Sequence, residues 1–205
     1  VLLYAWSPLL IKEVAFTGHV DILAALCLVA VVCAFRYGRD AIGGLVLATG
    51  ICARLSAGVL APLLLKGRSK TAWAVAALAS FACYAPFVFR GIADGGGLGV
   101  FASEWEFNSF AYGLFAVVAG ASAAKLICAV LFVSFYAWAW FRRPDLLRCP
   151  DVVLGVFFLL SPVVNPWYLV LLVPFVALRP SAWGIAATVS VLISYATGLN
   201  LGRTE

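Results

Sequence analysis

Residues 36–70 read RYGRDAIGGLVLATGICARLSAGVLAPLLLKGRSK, two apolar arms that meet at Arg54 between two basic clusters. Basic residues that flank membrane segments tend to stay on the cytoplasmic side, so both ends of this stretch are expected there. Each arm is shorter than the about 20 residues that cross a hydrocarbon core. We therefore predict a short helical hairpin over residues 41–65, with Arg54-Leu55-Ser56 at its tip. The alternative is a single span, which would carry the second basic cluster to the outside.

A second stretch, residues 152–178, repeats this pattern between Arg148 and Arg179. Its centre reads SPVVNPWY (residues 161–168), and each proline removes a backbone donor and disfavours helix in the residue before it. Irregular backbone at membrane depth is tolerated where it lines a cavity. We predict a second broken helical hairpin here. A simple interhelical turn with two interfacial aromatic residues is the alternative.

Composition extends this interpretation to the whole chain. Of the 205 residues, 65% are apolar and only 11% are charged, and the mean hydropathy is +1.08. A soluble domain is about half apolar and about a quarter charged, so a water-soluble monomer and a disordered chain are both excluded. We expect an all-α fold, a polytopic membrane helical bundle, with one transmembrane domain over residues 1–205 and an outer loop at 90–110. The absence of Met and the apolar start at Val1 indicate a piece of a longer chain.

Charge and cysteine content argue against several function classes. The net charge is +5, but the basic residues stand singly or in pairs between apolar runs, as expected for membrane orientation rather than nucleic-acid binding. The six cysteines form no CxxC pattern and fall mostly in apolar runs, so we interpret them as small packing residues. No Walker A, GxGxxG or HExxH pattern is present. We expect no metal and no cofactor.

Residues 7–21 hold the first candidate site. They read SPLLIKE (7–13) and, after four residues, GHVD (18–21), with the only histidine of the chain, His19, two residues before Asp21. Both side chains can face one cavity if this segment is a loop. Near a helix start Asp21 also meets the positive end of the helix dipole. The alternative is that Asp21 only caps the helix and that His19 is an interfacial side chain.

Arg54 is the second candidate, because it stands in a long apolar stretch. An ionisable residue at membrane depth costs about 2.5–3.5 kcal/mol on insertion scales, so it needs a partner. Arginine suits bidentate phosphate recognition, and at a hairpin tip it can hold a lipid phosphate. The alternative is a salt bridge to an acid such as Glu13 or Asp21 that only holds helices together.

The outer loop supplies a third candidate in residues 101–112, FASEWEFNSFAY. Glu104 and Glu106 alternate with Trp105 and Phe107. Aromatic rings stack on the C–H faces of sugars and carboxylates accept sugar hydroxyls, so the pattern suits a carbohydrate. An ordinary interfacial loop has the same composition.

In their order along the chain, these motifs resemble those of membrane-embedded GT-C-type glycosyltransferases. They are most similar to the bacterial polyprenyl-phosphate-mannose-dependent mannosyltransferases. The matching stretches are Pro8–Glu13, Gly18–Asp21, Gly44–Arg54, Trp105–Ser109 and Ser161–Tyr168. The resemblance implies an inverting transfer of a hexose, mannose in that family, from a polyprenyl-phosphate donor to a glycolipid or glycan acceptor. The reaction would take place on the outer, periplasmic face of the bacterial cytoplasmic membrane, without a cofactor.

The resemblance also implies roles for individual residues. Arg54 and Lys12 would bind the donor phosphate, and His19 and Asp21 would orient the sugar or acceptor with Glu13 behind them. The substrate pocket would be lined by polar and aromatic residues of the outer loop and the second hairpin: Glu104, Trp105, Asn108, Asn165, Trp167 and Tyr168. The main catalytic carboxylate of the family lies in the first outer loop, which we expect upstream of Val1. The hairpin position is often lysine in the family and is arginine here.

Two other functions compete with a glycosyltransferase. A secondary transporter or lipid flippase also needs broken helices and charges at membrane depth, and it predicts paired repeats. No clear inverted repeat is visible in the sequence, and most acidic residues fall on the predicted outer side. A catalytically silent assembly subunit is the third interpretation.

Overall fold

Residues 2–89, 105–142 and 149–198 are described by the computed structural model of the chain. Helices joined by short turns make up these ranges, which contain no β-strand and only one isolated bridge, between Phe107 and Val163. The prediction of an all-α fold is therefore confirmed. Most of the predicted outer loop, including Glu104, lies outside the described residues.

Helices of very different length follow one another along the chain. In order they are α1 (Leu2–Ala5), α2 (Pro8–Leu10), α3 (Asp21–Arg36), α4 (Asp40–Ala53), α5 (Ala61–Leu65), α6 (Lys70–Phe89), α7 (Ala111–Ala119), α8 (Ala121–Arg142), α9 (Pro150–Leu160), α10 (Val173–Leu178), α11 (Ala182–Ser190) and α12 (Ile193–Gly198). Three further segments are helical but not α: a π-helix at Ile11–Phe16 and 3₁₀ helices at Leu55–Leu60 and Pro166–Leu171.

Two compact units divide the chain. The first unit consists of Val1–His19 and Phe107–Glu205, and the second unit is Val20–Glu106. Each has a core of aliphatic residues contributed by its short helices. The expectation of one transmembrane domain over residues 1–205 remains a prediction.

The two ends of residues 40–69, in the second unit, lie next to each other. Asp40, the first residue of α4, accepts a hydrogen bond through Oδ2 from the backbone N–H of Ser69, at 3.0 Å. The side chain and the backbone of Ser69 both hydrogen-bond this carboxylate and hold the pKa of Asp40 below its ordinary value. Arg68 donates to the backbone oxygen of Phe35 at 2.9 Å, so the end of α3 is held at the same point.

The far end of this segment turns at Arg54. Gly44 of α4 lies against Ala72 of α6, and farther along the hydroxyl of Tyr84 donates to the backbone oxygen of Ile51, at 3.3 Å. Helices α4 and α6 therefore run in the same direction, and residues 55–65 return between their ends. The backbone at Arg54 is extended, with φ −153° and ψ 112°, which ends α4. The predicted hairpin with Arg54 at its tip is confirmed.

The second hairpin, in the first unit, also has its ends together. Arg179 donates to the sulfur of Cys149 at 2.9 Å, and the hydroxyl of Ser181 lies 3.4 Å from Oδ2 of Asp151. Helix α9 ends at Leu160, and the prolines of residues 161–166 keep the chain out of α-helix until the 3₁₀ segment begins. The prediction of a broken hairpin over 152–178 is confirmed.

The two hairpins share one order of elements. Each has an outgoing α-helix, a non-helical turn, a six-residue 3₁₀ helix, a short α-helix and then a further helix. In each, a carboxylate at the start of the outgoing helix, Asp40 or Asp151, meets a serine just before the further helix. The sequence indicates the two hairpins by their flanking basic residues and short apolar arms, but it does not indicate the 3₁₀ segments or the carboxylate–serine contacts.

One helix among the described residues, α8, is long and apolar enough to cross a membrane. Only 17% of its apolar window is buried, and shorter apolar helices occur at 40–53, 55–65, 150–160 and 182–195. Large apolar side chains on other helices are also exposed, for example Val117 and Val118 on α7. The polytopic membrane bundle remains a prediction.

We expect Gly44→Ala to separate α4 from α6. A Cβ at this position would lie 2.6 Å from the backbone oxygen of Ala72, so the helix itself has to move. Overpacking of this kind lowers the free energy of unfolding by about 1–3 kcal/mol. Thermal unfolding in detergent micelles, followed by circular dichroism, measures the change. Gly58→Ala is the control, because its Cβ would meet only the side chain of Ile51 at 3.7 Å. Equal shifts of Tm in the two variants would contradict the close packing.

Candidate functional site

The segment that carries Lys12, Glu13 and His19 is folded by a π-helix. The backbone N–H of Thr17 bonds to the oxygen of Lys12, five residues earlier, and the N–H of His19 bonds to the oxygen of Glu13 at 2.8 Å. Gly18 has φ +71°, a conformation that favours glycine and brings His19 back beside Glu13. Single π turns occur frequently at functional sites.

Glu13 is fully buried and is bonded on both carboxylate oxygens. Oε1 accepts a hydrogen bond of 2.5 Å from the hydroxyl of Tyr195, and Oε2 accepts one of 3.3 Å from the hydroxyl of Thr17. Nε2 of His19 lies 3.4 Å from the same Oε2. A buried carboxylate is tolerated only with such partners, so the segment, α12 and Glu13 hold one another in place.

His19 is oriented from two sides. Its ring stacks on the ring of Trp167, with centroids 4.4 Å apart and planes 13° from parallel. Its side chain is nevertheless 32% exposed, whereas that of Glu13 is not exposed at all. The ring nitrogen that faces Glu13 is Nε2.

Lys12 brings a positive charge to the same cluster. Its Nζ lies 4.5 Å from the ring centre of Tyr195 and 5.7 Å from that of Phe16, both in cation–π range. We define Lys12, Glu13, His19, Trp167 and Tyr195 as the Glu13 cluster. It combines a buried acid, a partly exposed imidazole and an ammonium group on aromatic faces.

The outer-loop motif meets the second hairpin. The backbone N–H of Phe107 donates to the oxygen of Pro162 at 3.1 Å, and that of Val164 donates to the oxygen of Phe107 at 2.8 Å. Asn108 has φ +52°, a conformation that asparagine tolerates better than most residues, and its side-chain amide donates to the oxygen of Val164 at 3.4 Å. Two motifs more than fifty residues apart thus form one surface.

A cavity of about 590 Å³ lies beside this contact in the first unit. Its walls come from α9, α11 and the 3₁₀ segment and are mostly aliphatic or aromatic, with Asn108 and Ser190 as the polar lining residues. Trp183 forms part of the wall because Gly155 leaves room for its ring: a Cβ there would lie 2.4 Å from it. The volume is in the range of small-molecule pockets.

Asp21 and Arg54 form an ion pair within the second unit. Nε of Arg54 lies 3.2 Å from Oδ1 of Asp21, whose side chain is 4% exposed against 25% for Arg54. The pair joins the first turn of α3 to the tip of the first hairpin. This is the salt bridge that the sequence analysis gave as the alternative to phosphate binding.

The remaining predicted residues differ in exposure. Trp105 is exposed, Trp167 is half-buried, and Asn165 and Tyr168 are buried in the second hairpin. Within the described ranges, no group of three His, Cys, Asp or Glu side chains is arranged to hold a metal ion. Sequence reasoning missed Tyr195 and Thr17. The signal for Tyr195 was a phenol within the last apolar run, and Thr17 had no distinctive pattern.

Tyr195→Phe tests how far Glu13 depends on its hydrogen bonds. The variant removes one donor from a buried carboxylate, and hydrogen bonds to charged groups contribute about 1.5–3 kcal/mol. We expect a loss of that size in the free energy of unfolding, measured in detergent micelles. Tyr37→Phe changes an exposed phenol and should leave Tm unchanged. If the two variants behave alike, the Tyr195–Glu13 bond does not stabilise the cluster.

No protein-family model matches the chain, and neither does any curated protein or solved structure.

Proposed function

We propose that this chain belongs to a membrane-embedded glycosyltransferase of the GT-C type. It moves a hexose, mannose in the first instance, from a polyprenyl-phosphate donor to a glycolipid or glycan acceptor. The reaction takes place on the outer face of the bacterial cytoplasmic membrane. It is an inverting displacement in which the acceptor hydroxyl attacks the anomeric carbon as the lipid phosphate leaves.

The Glu13 cluster is the observation that carries this proposal. His19, whose Nε2 lies 3.4 Å from Oε2 of Glu13, has the proposed role of accepting the proton of an acceptor hydroxyl. Trp167, which stacks with His19, offers an aromatic surface to the C–H face of a sugar. Because Glu13 is fully buried, it acts through His19 and does not touch the substrate.

Donor phosphate binding falls to Arg54 and Lys12. Arginine presents five N–H donors in a planar fork that suits bidentate phosphate binding, and Nε of Arg54 lies 3.2 Å from Oδ1 of Asp21. Lys12 adds a point charge next to the Glu13 cluster. Positive groups at these positions stabilise the charge that develops on the leaving phosphate.

The apolar cavity and the exposed apolar side chains support a lipid substrate and a membrane location. A cavity with aliphatic and aromatic walls suits a hydrocarbon chain, here the polyprenyl chain of the donor. Helix α8 is predominantly apolar and mostly unburied, unlike the core helix of a soluble protein. The basic clusters at the base of each hairpin favour a cytoplasmic base and outward tips.

A secondary transporter or lipid flippase is the second candidate, and one observation favours it. The two hairpins repeat the same order of elements, and repeats with broken helices are typical of transporters. The Glu13 cluster, with its oriented imidazole, favours the glycosyltransferase.

His19→Asn is the first test of the transferase. The full-length protein in bacterial membranes is supplied with radiolabelled polyprenyl-phosphate-mannose, and label is followed into product. Loss of a general base lowers kcat by about 10²–10⁴-fold, with little change in Tm. Tyr37→Phe is the control. Unchanged turnover in His19→Asn would remove His19 from the reaction, and no transfer by the wild-type protein would favour the transporter.

Arg54→Lys separates phosphate binding from helix pairing. Lysine keeps a positive charge opposite Asp21 but loses the planar fork. We expect the KM for the donor to rise about tenfold, roughly 1.4 kcal/mol of binding, with Tm close to wild type. An unchanged KM would mean that Arg54 does not bind the donor phosphate and only forms the salt bridge with Asp21. The double variant Asp21→Ala/Arg54→Ala removes the guanidinium together with the buried charge that it pairs with, and sugar transfer should be lost.

A further inference from the structure

The two loops at the base of the first hairpin are strongly basic. Residues 36–40 lead from α3 into α4, and residues 66–70 lead from α5 into α6. Together they hold five basic residues and one acidic residue, Asp40. All five basic side chains are exposed, and we define them as the base cations: Arg36, Arg39, Lys66, Arg68 and Lys70.

Two hydrogen bonds hold these loops against each other. Arg68 donates to the backbone oxygen of Phe35 at 2.9 Å, and the N–H of Ser69 donates to Oδ2 of Asp40 at 3.0 Å. Each base cation either forms one of these bonds or stands within two residues of a residue that does. Consecutive Cα atoms are about 3.8 Å apart, so the five charges start from a small area of backbone. Membrane orientation accounts for basic residues on this side of the membrane, but it does not require five of them to converge.

The charge of this area is not balanced within the two loops. Five positive charges and one negative charge leave an excess of four. Asp40 is occupied by Ser69, and the guanidinium of Arg68 lies over the ring of Phe35, 4.8 Å from its centre. The base of the hairpin therefore presents a concentrated positive charge that suits an anionic partner.

Exposed apolar side chains follow the base cations directly in both helices. Ile42 and Leu45, in the first two turns of α4, are 50% and 54% exposed, and Trp73 at the start of α6 is 43% exposed. Tryptophan is enriched at the level of lipid headgroups. Aliphatic side chains next to the charges suit acyl chains, which a free phosphate or a nucleic acid does not have. Charge and apolar surface together fit an amphipathic anion.

We propose that the base cations and the apolar side chains beside them form a site for an anionic phospholipid. Its phosphate binds the base cations, and its acyl chains lie along the exposed face of α4. Clusters of about four to eight Lys or Arg next to a membrane helix bind anionic lipids in this way. The site is at the opposite end of the hairpin from Arg54, so this lipid is not the sugar donor. The inference rests on the membrane location within the proposed function, and not on sugar transfer.

Photoreactive lipids test this site without an activity assay. The full-length protein is reconstituted into phosphatidylcholine vesicles that contain a trace of phosphatidylglycerol with a diazirine on its acyl chain, close to the headgroup. After illumination, labelled residues are mapped by peptide mass spectrometry, and phosphatidylcholine with the same diazirine is the reference. We expect phosphatidylglycerol to label the peptides of Ile42, Leu45 and Trp73 at least about fivefold more, the factor that one basic residue contributes near an anionic surface. Equal labelling of these peptides by the two lipids would overturn the proposal.

Variants separate a site from a general effect of charge. Arg39→Gln and Lys70→Gln each remove one base cation but keep the two hydrogen bonds between the loops, and each should lower the preference for phosphatidylglycerol about fivefold. Arg142→Gln is the matched control, because it removes an exposed basic residue at the end of α8, in the other unit. An equal decrease in Arg142→Gln would assign the preference to net charge and refute the site. If a variant fails to fold, the comparison of the two lipids on the wild-type protein still decides.

The labelling also distinguishes this proposal from the proposed function. Label from phosphatidylcholine on α8 reports the membrane location, and its absence would remove both the location and the lipid site. Absence of sugar transfer by a protein that shows the lipid preference would count against the transferase alone, because the labelling is read from peptide masses.

Discussion

The fold depends on closing the base of each short hairpin. The outgoing helices α9 and α4 have only eleven and fourteen residues, and in each hairpin the chain turns back and its two ends are held together. In both hairpins a carboxylate at the start of the outgoing helix does this by accepting a hydrogen bond from a serine. These two contacts at the hairpin bases hold in place the arms that carry the tip with Arg54 and the turn that leads to Trp167.

The sequence predicted the hairpins because their signals are local. Basic residues at both ends, arms of half a span and prolines at 162 and 166 each act within a few residues. The pairing of Glu13 with Tyr195 joins residues 182 positions apart, and no local pattern encodes such a contact. For the same reason the sequence left Arg54 between two interpretations: an isolated cation needs a partner, but the sequence does not say which acid comes near it.

Under the proposed function, Glu13 serves both stability and chemistry. Its carboxylate is fully buried, so its hydrogen bonds from Tyr195 and Thr17 are needed before any catalytic role arises. Once held, it fixes the orientation of His19, whose ring is exposed by about a third. In the sequence His19 and Asp21 stand two residues apart, a spacing that predicts a pair. The structure instead gives His19 to Glu13 and Trp167, and Asp21 to Arg54, because the π-helix and Gly18 turn the imidazole back toward Glu13.

The ion pair also bears on why an arginine stands at a position that is often lysine in the family this chain resembles. Asp21 is almost fully buried, and removing its cation would leave an uncompensated charge, at a cost of several kcal/mol. A phosphate that binds Arg54 therefore has to share the guanidinium with Asp21. A lysine ammonium is a single point charge that two anions compete for, whereas the guanidinium fork can hold Asp21 through Nε and a second anion through its terminal nitrogens. Under the proposed function, Asp21 in α3 and Arg54 at the hairpin tip are needed together, because one guanidinium has to hold both the buried acid and the phosphate.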